Sequence, residues 1–374
     1  MTGEKRHVSN DTVLLVAPAA PPYGGMALQG RLLEKLLRRD GSAVVFFPTN
    51  FSLPGWLGPV ARVPGLRTFL RSILIWPKLW REMRHVKVVH VMAASWLYFF
   101  VIVCPTVFVG RVQGKRVVLN YRGGGAKRFF DWFGWAVAPF FKSASVVTAP
   151  SKFLAGMIGS YFHVPVSVVP NILDLSRFRY RRRTEVQPKL LVSRHLEKMY
   201  DIESVLRAFQ IVQKNRREAS LCIAGTGSQE ETLRTMAAAL QLENVEFLGQ
   251  VAHEDMPAIC DQCDIFVNAS RVDNFPGALL EASAAGLPIV STCAGGIPFM
   301  YEHEKNALLL EPGDWQALAS GIERVLASPS LATKLSTEGA TLAQQCDWNG
   351  VRIPLYAAYG ISPNPDFEKI ASVV

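Results

Sequence analysis

Two acids, Asp273 and Glu281, bracket the turn Asn274-Phe275-Pro276-Gly277 in the stretch SRVDNFPGALLEASAAGLPIVST, residues 270–292. Pro276 suits the first position of a helix, where no N–H is needed, and Asn274 suits its cap. Gly286 followed by Pro288 marks a stop, so the spacing predicts a short helix over about 276–285 and then a buried strand, LPIVST. The first-turn amides of Gly277 and Ala278 have no acceptor inside such a helix, and free amides at a helix N-terminus attract anions, phosphates above all. Glu281 lies four residues after Gly277 and leans back towards the N-terminus, so its carboxylate looks out on the same side. An acid beside an anion site repels the anion and suits a hydroxyl of the same ligand. Asp273, in the loop before the helix, suits a second hydroxyl. A phosphate flanked by hydroxylated groups describes a nucleotide-sugar. The plainer reading keeps both acids as solvated charges beside an ordinary helix start.

The elements that must position these residues follow a βαβ rhythm. Strand-like runs in the first half are TVLLVAP, AVVFFPT, VKVVHVM, KRVVLNY and SVVTAPS; in the second they are KLLVSR, SLCIAG, NVEFLG, DIFVNAS, PIVST and ALLLE. Amphipathic stretches such as DIESVLRAFQIVQKNRR separate them. The pattern predicts an α/β protein of two Rossmann-like, doubly wound domains with parallel sheets covered on both faces. Ligands of such sheets sit at the carboxyl ends of the strands, so two facing domains imply a cleft. A proline- and arginine-rich passage near 168–189 reads as the linker.

A length of 374 residues, 49% apolar and 19% charged, is enough for two cores. The N-terminus lacks an apolar signal core, so secretion is not expected. Six cysteines scattered in apolar contexts suit reduced thiols in the cytoplasm. CDQCD contains a Cys-x-x-Cys without a second pair or a histidine cluster, and reads as a helix end before a strand. Residues 1–170 carry 21 Lys and Arg against 6 Asp and Glu, a net +15; residues 171–374 carry 19 against 25, a net −6. The basic half suits an anionic partner (a membrane surface, a phosphorylated acceptor or nucleic acid) or is simply a soluble basic face. SWLYFFVIVCPTVFVG, 95–110, is shorter than the ~20 residues of a spanning helix and is broken by Pro105. It reads first as a buried helix and second as a surface on lipid. RFFDWFGWAVAPFFK, 128–142, has the composition of an interfacial helix. Both also suit a core, and neither reads as transmembrane.

Seven passages in order resemble the family-4 retaining glycosyltransferases of the GT-B type, over roughly residues 12–360. They are PYGGM, VVPNILDLSRF, LLVSRHLEK, LCIAGTGSQEETL followed by VEFLGQV and DIFVNAS, the opening stretch itself, AGGIPFMYEHEKNALLLEPGD, and CDWNGVRIPLYAAY. The resemblance implies an acceptor-side domain over 1–178, a nucleotide-sugar domain over 179–345, and a helix in 346–374 packing back on the first. It implies that Glu281 bonds the donor's ribose hydroxyls and that Asp273, one methylene shorter than the family's Glu, stands at the donor sugar. Phe275, Gly277 and Ala278 match positions offering amides to sugar and phosphate, beside Asn274. Arg194 matches the arginine that neutralises the leaving diphosphate. The family's partner lysine falls where Met199 stands, with Lys198 one position early. Gly24 and Gly25 match the glycine-rich loop that approaches the phosphates, and Gln250 and Val251 fall where the base is held. On the acceptor side, Arg122 stands where many members have His-Gly; with Lys127 and Arg128 it suits an anionic acceptor such as a lipid pyrophosphate. His90 ends a strand and either faces the acceptor or is a hydrogen-bonded core histidine.

The activity implied is metal-independent transfer, with retention, from a nucleotide diphosphate sugar to a hydroxyl of a glycan or lipid-linked acceptor. Arg194, the helix at 276 and Lys198 meet the diphosphate charge. No cofactor, metal ligand or nucleic-acid partner is expected, and no Asp-x-Asp occurs. An anionic membrane surface on the cytoplasmic side is the expected further partner of the basic domain. Two alternatives remain. LCIAGTGSQEE, a strand followed by Gly-x-Gly and a helix, resembles a nicotinamide-dinucleotide site without its third glycine. Asp273 and Met199 also suit an inactive relative that binds membranes.

Overall fold

A computed structural model describes residues 12–20, 25–51 and 64–362, with side chains from residue 69 onward in the last segment. Runs of Val, Leu, Ile and Phe form the strands, because such residues fill a parallel sheet buried on both faces. The first unit contains β1 (Val13–Ala17), α1 (Gly25–Arg39), β2 (Val44–Pro48), α2 (Pro64–Met83), β3 (Val88–Ala93), α3 (Cys104–Val112) and β4 (Arg116–Tyr121). It continues with α4 (Ala126–Ser143), β5 (Val146–Ala149), α5 (Lys152–Phe162) and β6 (Val166–Val168). Its six strands pair in parallel in the order β2-β1-β3-β4-β5-β6. The segment 95–110 is largely buried, as its first reading had it, but it enters α3 through a π-helical turn at Phe99–Val103.

The second unit contains β7 (Lys189–Ser193), α6 (Ile202–Asn215), β8 (Ser220–Ala224), α7 (Glu230–Ala239), β9 (Val245–Gly249), α8 (Met256–Gln262) and β10 (Ile265–Asn268). It continues with α9 (Gly277–Ala284), β11 (Ile289–Thr292), β12 (Leu308–Leu310), α10 (Trp315–Ala327) and α11 (Pro329–Gln344). Its sheet is also parallel, in the order β12-β11-β10-β7-β8-β9. Side-chain caps start the last two helices: Asp314 accepts from the Ala317 amide at 2.8 Å and Ser328 from the Leu331 amide at 3.3 Å. The final helix, α12 (Trp348–Tyr359), belongs mostly to the first unit. There Arg116 Nε donates to the Ala358 carbonyl at 2.8 Å, and the Ser42 and Tyr356 hydroxyls lie 2.7 Å apart.

The units divide at Ile172/Leu173 and Gly350/Val351 rather than at 178 and 345. Leu173, Phe178 and Cys346 are buried in the second unit's core, and the Leu173 amide donates to the Cys346 carbonyl at 2.7 Å. The passage read as a linker is packed onto that unit too. Arg183 is 1% exposed, its guanidinium donating to the carbonyls of Arg181, Ala285, Cys260 and Cys263. Arg181 pairs with Asp264 at 2.7 Å. The Cys-x-x-Cys therefore lends its carbonyls to an arginine, its two thiols are buried, and all six cysteines are free. Among the described residues no helix is long and apolar enough to cross a membrane.

Candidate functional site

In the second sheet the strand order reverses between β7 and β10, with β8 and β9 on one side and β11 and β12 on the other. Loops leaving the carboxyl ends of β7 and β10 part there, and doubly wound sheets take ligands at such a point. Arg194 follows β7 directly; Ser270 to Asp273 follow β10. Arg194 Nη2 lies 2.9 Å from Asp273 Oδ2, with both side chains about nine-tenths buried. Donor and acceptor are misaligned, so neither atom has a hydrogen-bond partner among the described residues. The pair neutralises itself while its hydrogen-bonding capacity stays open.

The rest of the guanidinium is held in place. Arg194 Nε donates to Asn268 Oδ1 at 3.0 Å, and its Cζ lies 5.4 Å from the centroid of the Tyr200 ring. Asn268 is fully buried; it also accepts from Ser270 Oγ at 2.7 Å and donates to Ser291 Oγ at 2.9 Å. Backbone approach fixes the two loops. A Cβ on Gly225, at φ +145°, would collide with the Arg194 carbonyl oxygen, and one on Gly227 with that of Leu196. Behind Asp273, a Cβ on Gly295 would strike the Asp273 carbonyl, and the Gly296 amide donates to that carbonyl at 2.7 Å. The Gly-x-Gly after β8 thus clamps the Arg194 loop, which accounts for it without a dinucleotide.

Helix α9 begins beside this pair. Its cap is Pro276, with φ −77° and ψ 94°, and no side chain caps it. Asn274 is therefore not the cap, because a proline held extended at 276 moves the helix start to Gly277. The Gly277 and Ala278 amides have no acceptor within the helix, and open space lies over the Gly277 Cα. Phe275 packs against the core behind. Glu281 is 17% exposed, and burial pushes its carboxyl up to about 7, against the pull of Arg177 and Arg194. His253 Nδ1 stands 3.7 Å from Glu281 Oε1, too far for a hydrogen bond, and burial lowers its own pKa. Arg177 donates to the His253 carbonyl. This stretch therefore holds a carboxyl close to its protonation point beside free helix amides.

Other expected residues sit further out. Lys198 is exposed on a 3₁₀ turn, Lys198–Tyr200, and no ion pair or hydrogen bond joins its side chain to Arg194 or Asp273. That turn is tied to the β10 loop by Arg271, whose amide donates to the Met199 carbonyl at 2.8 Å and whose Nε lies 2.9 Å from Asp201 Oδ2. Gln250 is exposed just beyond β9, and Val251 packs on the core. In the first unit Gly25 opens α1 with free space over it, and Gly24 lies outside the described residues. Among the described residues no three His, Cys, Asp or Glu side chains gather as a metal set.

The acceptor-side basic group is dispersed. Arg122 donates to Asn171 Oδ1, Lys127 pairs with Asp131 at 3.0 Å, and Arg128 lies 4.8 Å over the Trp132 ring. His90 is fully buried. Asn120 Nδ2 donates to its Nε2 at 3.1 Å, so the neutral ring carries its proton on Nδ1 and donates to Tyr359 Oη at 2.7 Å. Burial, then the nearby Arg122 charge, lowers its pKa to about 3. His90 is a core histidine tying α12 to the sheet, and the acceptor role does not fit it.

Two families cover most of the chain end to end: Glycosyltransferase Family 4 matches residues 21–177 and Glycosyl transferases group 1 matches 177–341. The chain belongs to the group 1 glycosyltransferases. In an alignment of 363 positions that covers 87% of this chain, it is 24% identical to 92% of a GDP-mannose-dependent alpha-(1-6)-phosphatidylinositol monomannoside mannosyltransferase of Mycobacterium tuberculosis. It matches 46% of an uncharacterized glycosyltransferase of Haemophilus influenzae at 26% identity over 42% of this chain. The crystal structure of Anabaena Alr3699/HepE in complex with UDP shares the fold with a TM-score of 0.72 at 17% identity, over 94% of this chain and 99% of that one. This glycosyltransferase is therefore GT-B in fold, and the dehydrogenase alternative is set aside. Sequence reasoning missed Asn268, Tyr200 and Arg177 at the site; only the polar residues breaking the apolar run of DIFVNAS signalled the first.

Proposed function

We propose that the protein is a retaining glycosyltransferase that moves a sugar from a nucleoside diphosphate sugar to a hydroxyl of a lipid-linked or glycan acceptor. The observation that carries this reading is the self-neutralised Arg194–Asp273 pair beside the free N-terminus of α9. In the complex, Arg194 turns its open donors to the diphosphate, and the Gly277 and Ala278 amides take phosphate oxygens. Asp273, released, accepts from a sugar hydroxyl, and Glu281 from the ribose. As the anomeric bond breaks, the electron pair leaves with the diphosphate, and donors already in position stabilise the growing charge. The transfer proceeds without a metal ion, with Arg194 and the helix end supplying the positive potential. The near full-length similarity to an enzyme named for a phosphatidylinositol monomannoside supports a lipid-linked acceptor, and the likeness to a UDP complex supports the donor class. Six free thiols support a cytoplasmic setting and, with such an acceptor, a role in glycolipid or polysaccharide synthesis.

The test is a thermal-shift panel of UDP, GDP, ADP and their sugar conjugates, with NAD as control. A ligand at about 100 times its Kd adds ~2.7 kcal/mol of stability. One nucleotide series should stabilise the wild type and not Glu281→Ala, which also assigns the base. A shift with NAD alone, or with no nucleotide, would overturn the reading.

A further inference from the structure

All five described tryptophans of the first unit are exposed: Trp76 at 42%, Trp80 at 40%, Trp96 at 38%, Trp132 at 58% and Trp135 at 82%. Tryptophan is ordinarily among the most buried residues on average, so five outward rings in one unit call for a cause. They follow a pattern. On α2 the exposed Phe69, Ile73, Trp76 and Trp80 recur at spacings of four, three and four, about a quarter turn round the helix from the buried Ile75, Leu79 and Met83. On α4 Arg128, Trp132, Trp135 and Pro139 repeat that spacing on the exposed side. Each helix thus has a stripe for the core and a second one facing water, apolar throughout on α2 and made of Trp132, Trp135 and Pro139 behind Arg128 on α4.

The outer stripes join. Trp76 meets Phe108 of α3 edge-on at 5.8 Å. A groove between α2 and the π-helical turn is lined by Ile73, Trp76, Phe100 and Val101. Phe100 packs on Phe133 of α4 at 5.5 Å, and Trp96 meets Trp132 at 6.0 Å. Trp96 holds φ at +62°, a backbone state a bulky side chain seldom adopts, and the exposed Leu97 follows it. Cations rim this surface: Arg81, Arg84, Arg111, Arg128 and Lys142 are exposed, against Glu82 and Asp131.

We infer that the face formed by α2, the π-helical turn, α3 and α4 docks on an anionic lipid bilayer, its tryptophans at headgroup depth. Indole rings favour that zone, and the basic rim supplies attraction to anionic headgroups. A second copy of the chain is a poor occupant, since it would set one +15 half against another. The surface does not depend on the donor chemistry, which lies in the other unit.

The experiment is flotation of the full chain with vesicles of phosphatidylglycerol and phosphatidylcholine, against phosphatidylcholine alone, with quenching of tryptophan emission by brominated lipid. The protein should float with the anionic vesicles, be quenched, and be released at about 0.5 M salt, where charge screening is short-ranged. Trp132→Ser with Trp135→Ser, and separately Trp76→Ser with Trp80→Ser, should each lower partitioning by about tenfold or more. The nucleotide-induced melting shift of each variant reports that it is folded. Absence of flotation, equal partitioning of folded variants, or a wild-type dimer that the variants dissolve would overturn the proposal. A failed nucleotide shift with intact flotation would count against the donor reading alone.

Discussion

The two sheets share six parallel strands and place their polar residues in opposite ways. In the second unit the carboxyl edge gathers buried charge with open valences at Arg194 and Asp273, beside the buried Glu281 carboxyl on α9. In the first unit the polar groups are neutral or tied to neutral partners, with His90 on Asn120 and Tyr359 and Arg122 on Asn171, and the uncharged Asn120 Oδ1 and Thr148 Oγ1 are among the buried atoms left open there. That unit shows its chemistry on the outside, as exposed aromatic rings. The contrast teaches that residue type alone does not make a site. A buried polar group becomes available to a ligand when its partners leave hydrogen-bonding capacity free.

The sharpest way to break this contrast is Arg194→Ala, expected to lower kcat by about 10²–10³, as for loss of one preorganised charge donor. Donor Kd should change less, because charge grows as the bond breaks; equal losses in both would remove the transition-state role. Glu281→Ala comes next and should weaken nucleotide-sugar binding by about 1.5–3 kcal/mol, read by calorimetry. Unchanged affinity in a folded variant would end the ribose assignment. His90→Ala is the counterpart from the closed network. It should cost about 1–3 kcal/mol in denaturant unfolding and leave nucleotide Kd alone. A change in Kd would mean that the first unit's network reaches the donor.

The pH dependence sharpens the contrast within the second unit. The folded Glu281 carboxyl sits near 7 and the unfolded one near 4.5, so the native state holds the extra proton between those values. Its contribution to stability therefore falls as pH rises from 4.5 to about 7 and is flat above. Donor hydroxyls want the carboxylate, so affinity should run the other way, improving up to about tenfold per unit as pH rises towards 7. Glu281→Gln should flatten both profiles, and a wild-type binding curve flat from pH 5.5 to 8 would contradict this. The smallest effect is expected of Lys198→Ala, below about threefold in kcat, because that side chain is exposed and unpaired with the site. A loss of tenfold or more would show that the 3₁₀ turn folds inward during transfer.

Eleven of the twelve described strands were legible as short apolar runs between helical stretches, most of them buried on both faces, with the edge strands β2 and β9 only partly so. β6 was not, since Val166-Ser167-Val168 is an edge strand of three residues with an exposed serine at its centre. Asp273, Glu281 and Arg194 could be read from type and spacing. The pairing of Asp273 with Arg194 could not, because it joins loops 79 positions apart that meet only where the sheet order reverses. Asn268 carries no signal beyond a polar residue ending a strand. The reverse holds for the basic residues 122, 127 and 128: neighbours in sequence have three separate partners, which their spacing alone did not show.

The Arg194–Asp273 contact also bears on which anions the protein ignores. Asp273 is an intramolecular competitor for Arg194, present at fixed range whatever the solution holds. Inorganic phosphate can displace it only by leaving a buried carboxylate without a counter-charge, a cost of several kcal/mol. A molecule that presents diphosphate and hydroxyls together satisfies both halves at once. If the donor binds as proposed, exchange of partners would reject the abundant bare anion and admit the intact donor, with selectivity set by a contact that exists before any ligand arrives.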